Sequence, residues 1–427
     1  MINHNSHVDR NMAKIKPSNT QDINAFLEFG YIPEAELSIP EKIINASKKE
    51  NLSGNLIKKG SKALTATFRR AINETSSSAI HIVPLSGGLD SRTILAGLLE
   101  HVDSSRIKTV TFGTPGTWDF KYGKKVASKA GVQNKTIDLT ENKECWSAKR
   151  LQSYASDSVR PIRLFERAVN AYAHEIISND HKNIIRWSGY LGDPLAGAHL
   201  KPISKKPDTW KQATDDFITK NRMTTELSHP DFAPADMLPD RPKMDRLEYS
   251  EQLDYGIRQP YFIKPVVMFP KTKTPFLMEE WVNFILRIPR EQRLNRKLYR
   301  QIVLNKYPEL FSEVPTDSAQ GLKLTSPAWK KKSARIIRHT KKKVADKFGI
   351  SYTRRSMNYI DFESVFRKDM RQIVENQLES LSERNIVDWI DIDRLKSAHM
   401  SGKDKSNELR LLIALEMYLK EGGKHSN

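Results

Sequence analysis

The stretch from Ala79 to His101 constrains the fold of this chain more than any other part of it. A β-branched run at 80–83 leads directly into the letters Ser-Gly-Gly-Leu-Asp-Ser, and apolar residues at helical spacing follow. This pattern predicts a strand, a tight loop and a helix. The free N–H groups and positive dipole end of the helix face the loop, whose glycines let a ligand approach the backbone. The sequence therefore predicts a phosphate-binding loop.

Asp90 stands in the middle of this loop, where a carboxylate would repel a bare phosphate. The hydroxyls of Ser86 and Ser91 suit phosphate oxygens. The acid makes most sense as a ligand of a Mg²⁺ that the phosphates share. A chance glycine-rich turn before a helix is the alternative interpretation.

The loop Ser-Gly-Gly-Leu-Asp-Ser resembles the pyrophosphate-binding loop of the ATP pyrophosphatases, also called the PP-loop superfamily. From about Asn24 to Leu419, the chain resembles an asparagine synthetase without its glutaminase domain. The resemblance implies ATP and Mg²⁺ as cofactors. The loop residues that it assigns to ATP and pyrophosphate are Leu85, Ser86, Gly87, Gly88, Asp90 and Ser91.

A second motif, Ser-Gly-Tyr-Leu-Gly-Asp at 188–193, follows the apolar run Ile184–Trp187. In the family, a strand followed by S-G-x-G-x-D carries a second metal-binding acid that faces the first. The resemblance therefore implies that Asp90 and Asp193 hold Mg²⁺ against the triphosphate, with Ser188 and Gly189 in the nucleotide site.

The second motif departs from the family pattern in two ways. The order Leu191-Gly192 is reversed, which leaves the local backbone shape open. Tyr190 stands where asparagine synthetases carry a Glu, and it resembles the β-lactam synthetase branch, in which a Tyr–Glu pair deprotonates the attacking nucleophile. By spacing alone Glu226 is a candidate partner of this tyrosine, although a solvated surface glutamate is the favoured interpretation.

The pattern of strand and helix repeats after the first loop, with a strand at 107–112, a helix at 118–130 and a strand ending near 138. A helix is also expected at 161–178. This alternation predicts an α/β fold, with a parallel twisted sheet, helices on both faces and ligands at the carboxyl ends of the strands. The turn after the second strand resembles the family's adenosine-binding loop, which implies Phe112 at the adenine and Asp119 at the edge of the nucleotide site.

Three regions are expected along the chain. Residues 1–55 are expected to form a tail and to include the remnant of a glutaminase boundary. Residues 56–320 resemble the ATP pyrophosphatase domain. Residues 321–427 are expected to form a basic segment and a helical C-terminal region. The thiol nucleophile of these glutaminases is missing, since residue 2 is Ile2 and Cys145 is the one cysteine. Ammonia or a substrate amine is therefore expected to serve directly, unless a separate glutaminase supplies ammonia.

The block Lys273–Met278 resembles the family's R-x-P-F-L-D segment, with Lys for Arg and Met for the terminal Asp. Because Met278 replaces the acid of the family's segment, aspartate is less favoured as the substrate. A K-x-x-L-R block of the family supplies a catalytic cation against the α-phosphate. The ungapped register places Arg296 there, whereas Lys297 keeps the family's chemistry after a shift of one residue.

The charge of the chain, with 70 Lys and Arg against 51 Asp and Glu, is +19 among 427 residues, which favours a polyanionic partner, surface or substrate. Lys330–Lys343 holds eight basic residues and no acid, and the nearby apolar residues predict a basic amphipathic helix. The basic face of this helix is either exposed to solvent or binds an anionic membrane or a polyanion. No DNA partner is expected. The single cysteine and the lack of a long apolar run favour a cytoplasmic protein, or one peripheral at the inner face of the membrane.

The sequence thus predicts an ATP-dependent ligase that adenylates a carboxylate, releases pyrophosphate and passes the acyl group to an amine or ammonia. The carboxylate is a small molecule, a sugar or a peptide. A tRNA-modifying PP-loop enzyme is an alternative that the positive charge favours. A non-catalytic nucleotide-binding descendant is another, although such a protein would not need to keep both Asp90 and Asp193.

Overall fold

The computed structural model describes residues 20–179, 183–319, 321–347 and 360–422, and residues 1–19 of the expected N-terminal region lie outside them. One sheet contains β1 Ile80–Pro84, β2 Ile107–Gly113, β3 Gln133–Asp138, β4 Ile184–Trp187 and β5 Thr272–Lys273. All neighbouring strands are parallel and their order is β3-β2-β1-β4-β5. The chain moves outward from β1 on one side and then returns to place β4 on the other, so the crevice between β1 and β4 is a topological switch point.

Helices cover the sheet and form the C-terminal region. The α-helices among the described residues are α1 Thr20–Phe29, α2 Glu41–Ser47, α3 Leu56–Asn73, α4 Leu89–Leu99, α5 Trp118–Lys129, α6 Ala148–Ser156, α7 Leu164–Ser178, α8 Gly192–Leu195, α9 Trp210–Asn221, α10 Tyr249–Leu253, α11 Lys264–Val267, α12 Glu279–Ile285, α13 Arg290–Arg293, α14 Lys297–Lys306, α15 Pro308–Phe311, α16 Ala328–Lys347, α17 Phe362–Arg367, α18 Arg371–Arg384, α19 Ile392–Met400 and α20 Ser406–Gly422. A π-helical segment, Asp254–Ile263, joins α10 to α11. No helix within the described ranges is both long and apolar enough to cross a membrane.

The hydrophobic core has two parts, one on each face of the sheet. Successive residues of a strand point to opposite faces, so Ile82 and Val83 of β1 belong to different parts. The Val83 side packs against α3, α4, α12 and α14, and the Ile82 side packs against α6, α7 and the C-terminal helices α17–α20. The predicted α/β fold, with helices on both faces and a helical C-terminal region, is confirmed.

The start of α7 corrects one boundary of the sequence analysis. The helix expected from Pro161 begins at Leu164, because Arg163 has non-helical dihedral angles, φ −67° and ψ 81°, and serves as the N-cap. The Arg163 guanidinium instead lies over the ring of Phe262, 4.8 Å from its centroid. The helix is therefore three residues shorter at its start than expected.

Candidate functional site

The predicted phosphate-binding loop follows β1, as expected, and contacts the first turn of α4. The Ser86 N–H donates to Ser91 Oγ at 3.2 Å, and the two hydroxyl oxygens are 3.1 Å apart. The Gly88 N–H donates to Ser86 Oγ, also at 3.2 Å. The two serine hydroxyls are thus fixed side by side at the helix N-terminus, where the dipole favours an anion.

Arg92 supports the loop from behind, and the sequence analysis missed it. Its buried guanidinium donates to the Gly87 carbonyl at 3.3 Å and to three carbonyls at 310–315, at 3.0 to 3.1 Å. The Thr316 hydroxyl donates to the same Gly87 carbonyl at 2.8 Å. A charged residue within an apolar helix pattern was the available signal, since buried arginines require such partners.

Asp119 and Phe112 occupy places next to this loop. Asp119 Oδ1 accepts a hydrogen bond of 2.9 Å from the Gly87 N–H, so this acid helps to fix the loop. Phe112 is half-buried against the core on the α7 side of the sheet. Their predicted contacts with adenosine stay predictions.

A cavity of about 380 Å³ lies at the carboxyl ends of β1 and β4. The two sequence motifs meet in it, as parallel neighbouring strands require. Its lining includes Ser86, Asp90, Ser91, Ser188, Gly189, Tyr190 and Asp193. The cavity therefore occupies the switch point at which open α/β sheets bind their ligands.

Asp90 approaches the backbone of the second motif very closely. Its Oδ2 accepts a hydrogen bond of 2.8 Å from the Asp193 N–H. A Cβ atom on Gly192 would lie 2.5 Å from Asp90 Cγ, and one on Gly189 would lie 2.9 Å from Asp90 Cβ. Glycine is thus required at both positions for steric reasons, and Leu191 takes the left-handed conformation between them, with φ 63°. The close approach of Asp90 therefore explains the glycine at 192.

The Asp90 carboxylate is in an environment that disfavours its charge. Burial and the nearby Asp193 carboxylate raise the pKa of Asp90 well above its usual value. The Tyr299 hydroxyl, which the sequence analysis missed, lies 3.1 Å from Asp90 Oδ1 and 2.8 Å from Thr93 Oγ1. Two acids held this close favour the binding of a cation between or beside them.

The donor set at this position fits Mg²⁺, a hard cation that prefers oxygen ligands. Asp193 Oδ1 is buried and has no hydrogen-bond partner among the described residues. Among the described residues, no group of three or more Asp, Glu, His or Cys side chains is arranged to hold a metal ion. Asp90 and Asp193 would therefore supply two ligands, with phosphate and water oxygens completing the shell.

Arg296 and Lys297 differ sharply in position. Arg296 has φ 62° and is the N-cap of α14, and its Nη1 donates to Asp193 Oδ2 at 2.5 Å. Lys297 is exposed. Arg300 follows one turn later, where burial and the charge of Arg296 lower its pKa. The geometry therefore supports Arg296 as the cation of the site, and its catalytic role stays a prediction.

Tyr190 lines the cavity but has a different neighbour from the one that spacing suggested. Burial, and then the charge of Asp254, raise the pKa of the Tyr190 phenol. Glu226 instead forms an ion pair with Lys405. Glu226 is also exposed, which agrees with the favoured interpretation of a surface glutamate.

His199 and Asp254 form a pair that the sequence analysis missed. His199 Nδ1 lies 2.7 Å from Asp254 Oδ2, and Gln259 Nε2 donates to Asp254 Oδ1 at 3.1 Å. Asp254 and Gln259 share a face because the π-helical segment has an i to i+5 repeat, a geometry frequent at functional sites. Asp254 is buried, whereas His199 lines both the 380 Å³ cavity and an adjoining one of about 410 Å³.

A comparison of the sequence with models of known protein families finds a match over part of the chain. Residues 63–158 match the family model for asparagine synthase, a segment that contains the first motif, Arg92 and Asp119. No curated protein matches the sequence. Residues 63–158 are therefore similar to the asparagine synthase family, and this is the part of the chain that the match covers.

Proposed function

We propose that this protein is an ATP-dependent ligase that adenylates a carboxylate, releases pyrophosphate and passes the acyl group to an amine or ammonia. The asparagine synthase match indicates ligase-type chemistry with ATP. The observation that carries the finer proposal is the Asp90–Asp193 pair beside the serine-rich loop at the switch point. This pair would hold the cation that a triphosphate bound at the loop shares with the protein.

The first step is attack of a carboxylate oxygen on the α-phosphorus, and the bond between that phosphorus and the bridging oxygen breaks. The electron pair of this bond leaves with pyrophosphate, which the loop N–H groups and the hydroxyls of Ser86 and Ser91 receive. When bound, Mg²⁺ neutralises charge on the phosphate oxygens. Arg296 stands beside Asp193 and would stabilise the negative charge on the α-phosphate.

The second step is attack of the amine on the acyl carbon, which releases AMP with the electron pair of the carbon–oxygen bond. The amine must lose a proton, and His199 is our candidate for the group that accepts it. Asp254 would act as the positioning residue, because its contact with Nδ1 fixes the ring and leaves Nε2 as the nitrogen that can take the proton, and His199 lines both cavities. Tyr190 is the less suitable base, since burial and Asp254 oppose ionisation of its phenol.

A screen of pooled carboxylic acids tests the overall reaction. We expect pyrophosphate release with ATP and Mg²⁺ only in pools that contain the acyl substrate, because the attacking carboxylate starts the step. The tRNA-modifying alternative is tested in parallel by adding total tRNA in place of the acids. Pyrophosphate release with tRNA and with no carboxylate pool would contradict the proposed substrate class.

Replacement of His199 is expected to slow the second step and to leave the first nearly unchanged. With the carboxylate found in the screen and ammonium as acceptor, His199→Ala is expected to slow amide formation by about 100-fold, the usual contribution of a general base. Pyrophosphate exchange should stay within about 3-fold of the unmodified protein, because adenylation needs no such base. Added imidazole should restore part of the amide formation.

Tyr190→Phe is the matched variant, since it lines the same cavity and removes the other candidate base. It is expected to keep amide formation within about 5-fold of the unmodified protein. An equal loss of both steps in His199→Ala, or a large loss in Tyr190→Phe alone, would contradict the assignment of the base.

A further inference from the structure

α16 presents an uncovered apolar stripe. Six large apolar residues are exposed among the described residues, and four of them lie on this helix. They are Trp329, Ile336, Ile337 and Val344, with exposed fractions of 65%, 55%, 55% and 49%. At ~100° per residue, all four fall within an arc of about 100°, so they form an apolar stripe on one side of the helix, with Ser333 and Thr340 between them.

Cations surround this stripe on both sides. From Ala328 to Val344 the helix has no acidic residue, and across the described ranges no acid forms an ion pair with it. The Lys and Arg residues between 328 and 344 are Lys330, Lys331, Lys332, Arg335, Arg338, Lys341, Lys342 and Lys343. The side chain of Lys342 and all of Phe348, which the sequence analysis included in the amphipathic pattern, lie outside the described residues.

We propose that α16 binds the surface of an anionic lipid bilayer. Its cations would meet the phosphate headgroups while the apolar stripe enters the boundary between headgroups and acyl chains. Trp329 suits this boundary because its ring is apolar and its N–H is polar. A nucleic acid would use the cations but would leave the stripe in water, so the exposed apolar residues favour the bilayer over a polyanion.

Sedimentation with vesicles tests this proposal. We expect the full-length protein to bind vesicles of phosphatidylcholine mixed with phosphatidylglycerol, to bind phosphatidylcholine alone much more weakly, and to lose affinity as salt is added. A variant with Lys330, Lys332, Lys341 and Lys343 changed to Gln should bind anionic vesicles at least about 100-fold more weakly at low salt. Ile336→Ser with Ile337→Ser should weaken binding about 10-fold or more.

The matched control changes four exposed lysines elsewhere to Gln, namely Lys58, Lys62, Lys211 and Lys403. It should bind like the unmodified protein. A control as weak as the α16 charge variant, or an Ile336/Ile337 variant with full affinity, would overturn the proposal. So would a dimer in light scattering that the Ile336/Ile337 variant loses, because a second copy would then cover the stripe. Vesicle binding needs neither ATP nor a carboxylate, so its failure leaves the proposed ligase activity standing.

Discussion

Asp90→Asn is expected to reduce pyrophosphate release by about 1000-fold or more, the largest effect of any single change in this site. The amide oxygen can still accept the hydrogen bond from the Asp193 N–H, but the side chain has lost the charge that holds Mg²⁺. Initial rates at saturating ATP and Mg²⁺, with the carboxylate found in the screen, measure the effect.

The stability of this variant distinguishes lost chemistry from lost structure. Burial and Asp193 oppose the charge of Asp90, so removing that charge should leave the thermal unfolding temperature unchanged or raise it. Asp236→Asn, an exposed acid, is the matched control and should keep full activity. An Asp90→Asn protein that retains more than about a tenth of the activity would contradict the assignment of Asp90 as a ligand in the nucleotide site.

Arg296→Ala is expected to slow adenylation by about 100-fold or more, as the loss of a charged donor to a transition state typically does. Lys297→Ala should have little effect, because Lys297 is exposed whereas Arg296 reaches Asp193. Arg296→Lys should lie between the two, since it keeps the charge and loses the planar fork. Exchange of labelled pyrophosphate into ATP measures all three.

The pair of alanine variants also tests the register between this chain and the asparagine synthetase block. An inert Arg296→Ala with a strongly impaired Lys297→Ala would show that the one-residue shift is correct. In that case the contact between Arg296 and Asp193 would be structural, and Arg296→Ala would be expected to lower thermal stability without slowing pyrophosphate exchange.

The sequence was most informative where function depends on short, contiguous motifs. The loop around Asp90 and the motif ending at Asp193 each combine a strand with glycines, a pattern that specifies local backbone shape. Because both motifs follow parallel strands, their meeting at one sheet edge was predictable before the order of the strands was known.

The remaining parts of the site depend on contacts between segments far apart in the sequence. The partners of Arg92 at 310–315 could not be predicted, because they are carbonyl groups, which have no sequence signature. The His199–Asp254 pair depends on a π-helical segment, and the apolar pattern of the sequence does not distinguish π from α geometry. Glu226 was suggested by spacing alone, and spacing does not show that Lys405 lies beside it.

The exposure of the apolar residues on α16 also could not be predicted from the sequence. Its helical pattern and its charge were evident in the sequence, and both were predicted. An apolar stripe at helical spacing is usually buried, however, so only the structure could show that Ile336 and Ile337 are more than half exposed. Because of that exposure, we propose that this basic helix binds a membrane surface.

Cleavage of ATP between its α- and β-phosphates is the central claim, and ATP labelled at the α-phosphate tests it most directly. With the carboxylate found in the screen, an amine or ammonium and Mg²⁺, the labelled product should be AMP, formed in step with pyrophosphate. Asp90→Asn should yield almost none. Labelled ADP, released together with inorganic phosphate, would contradict the account.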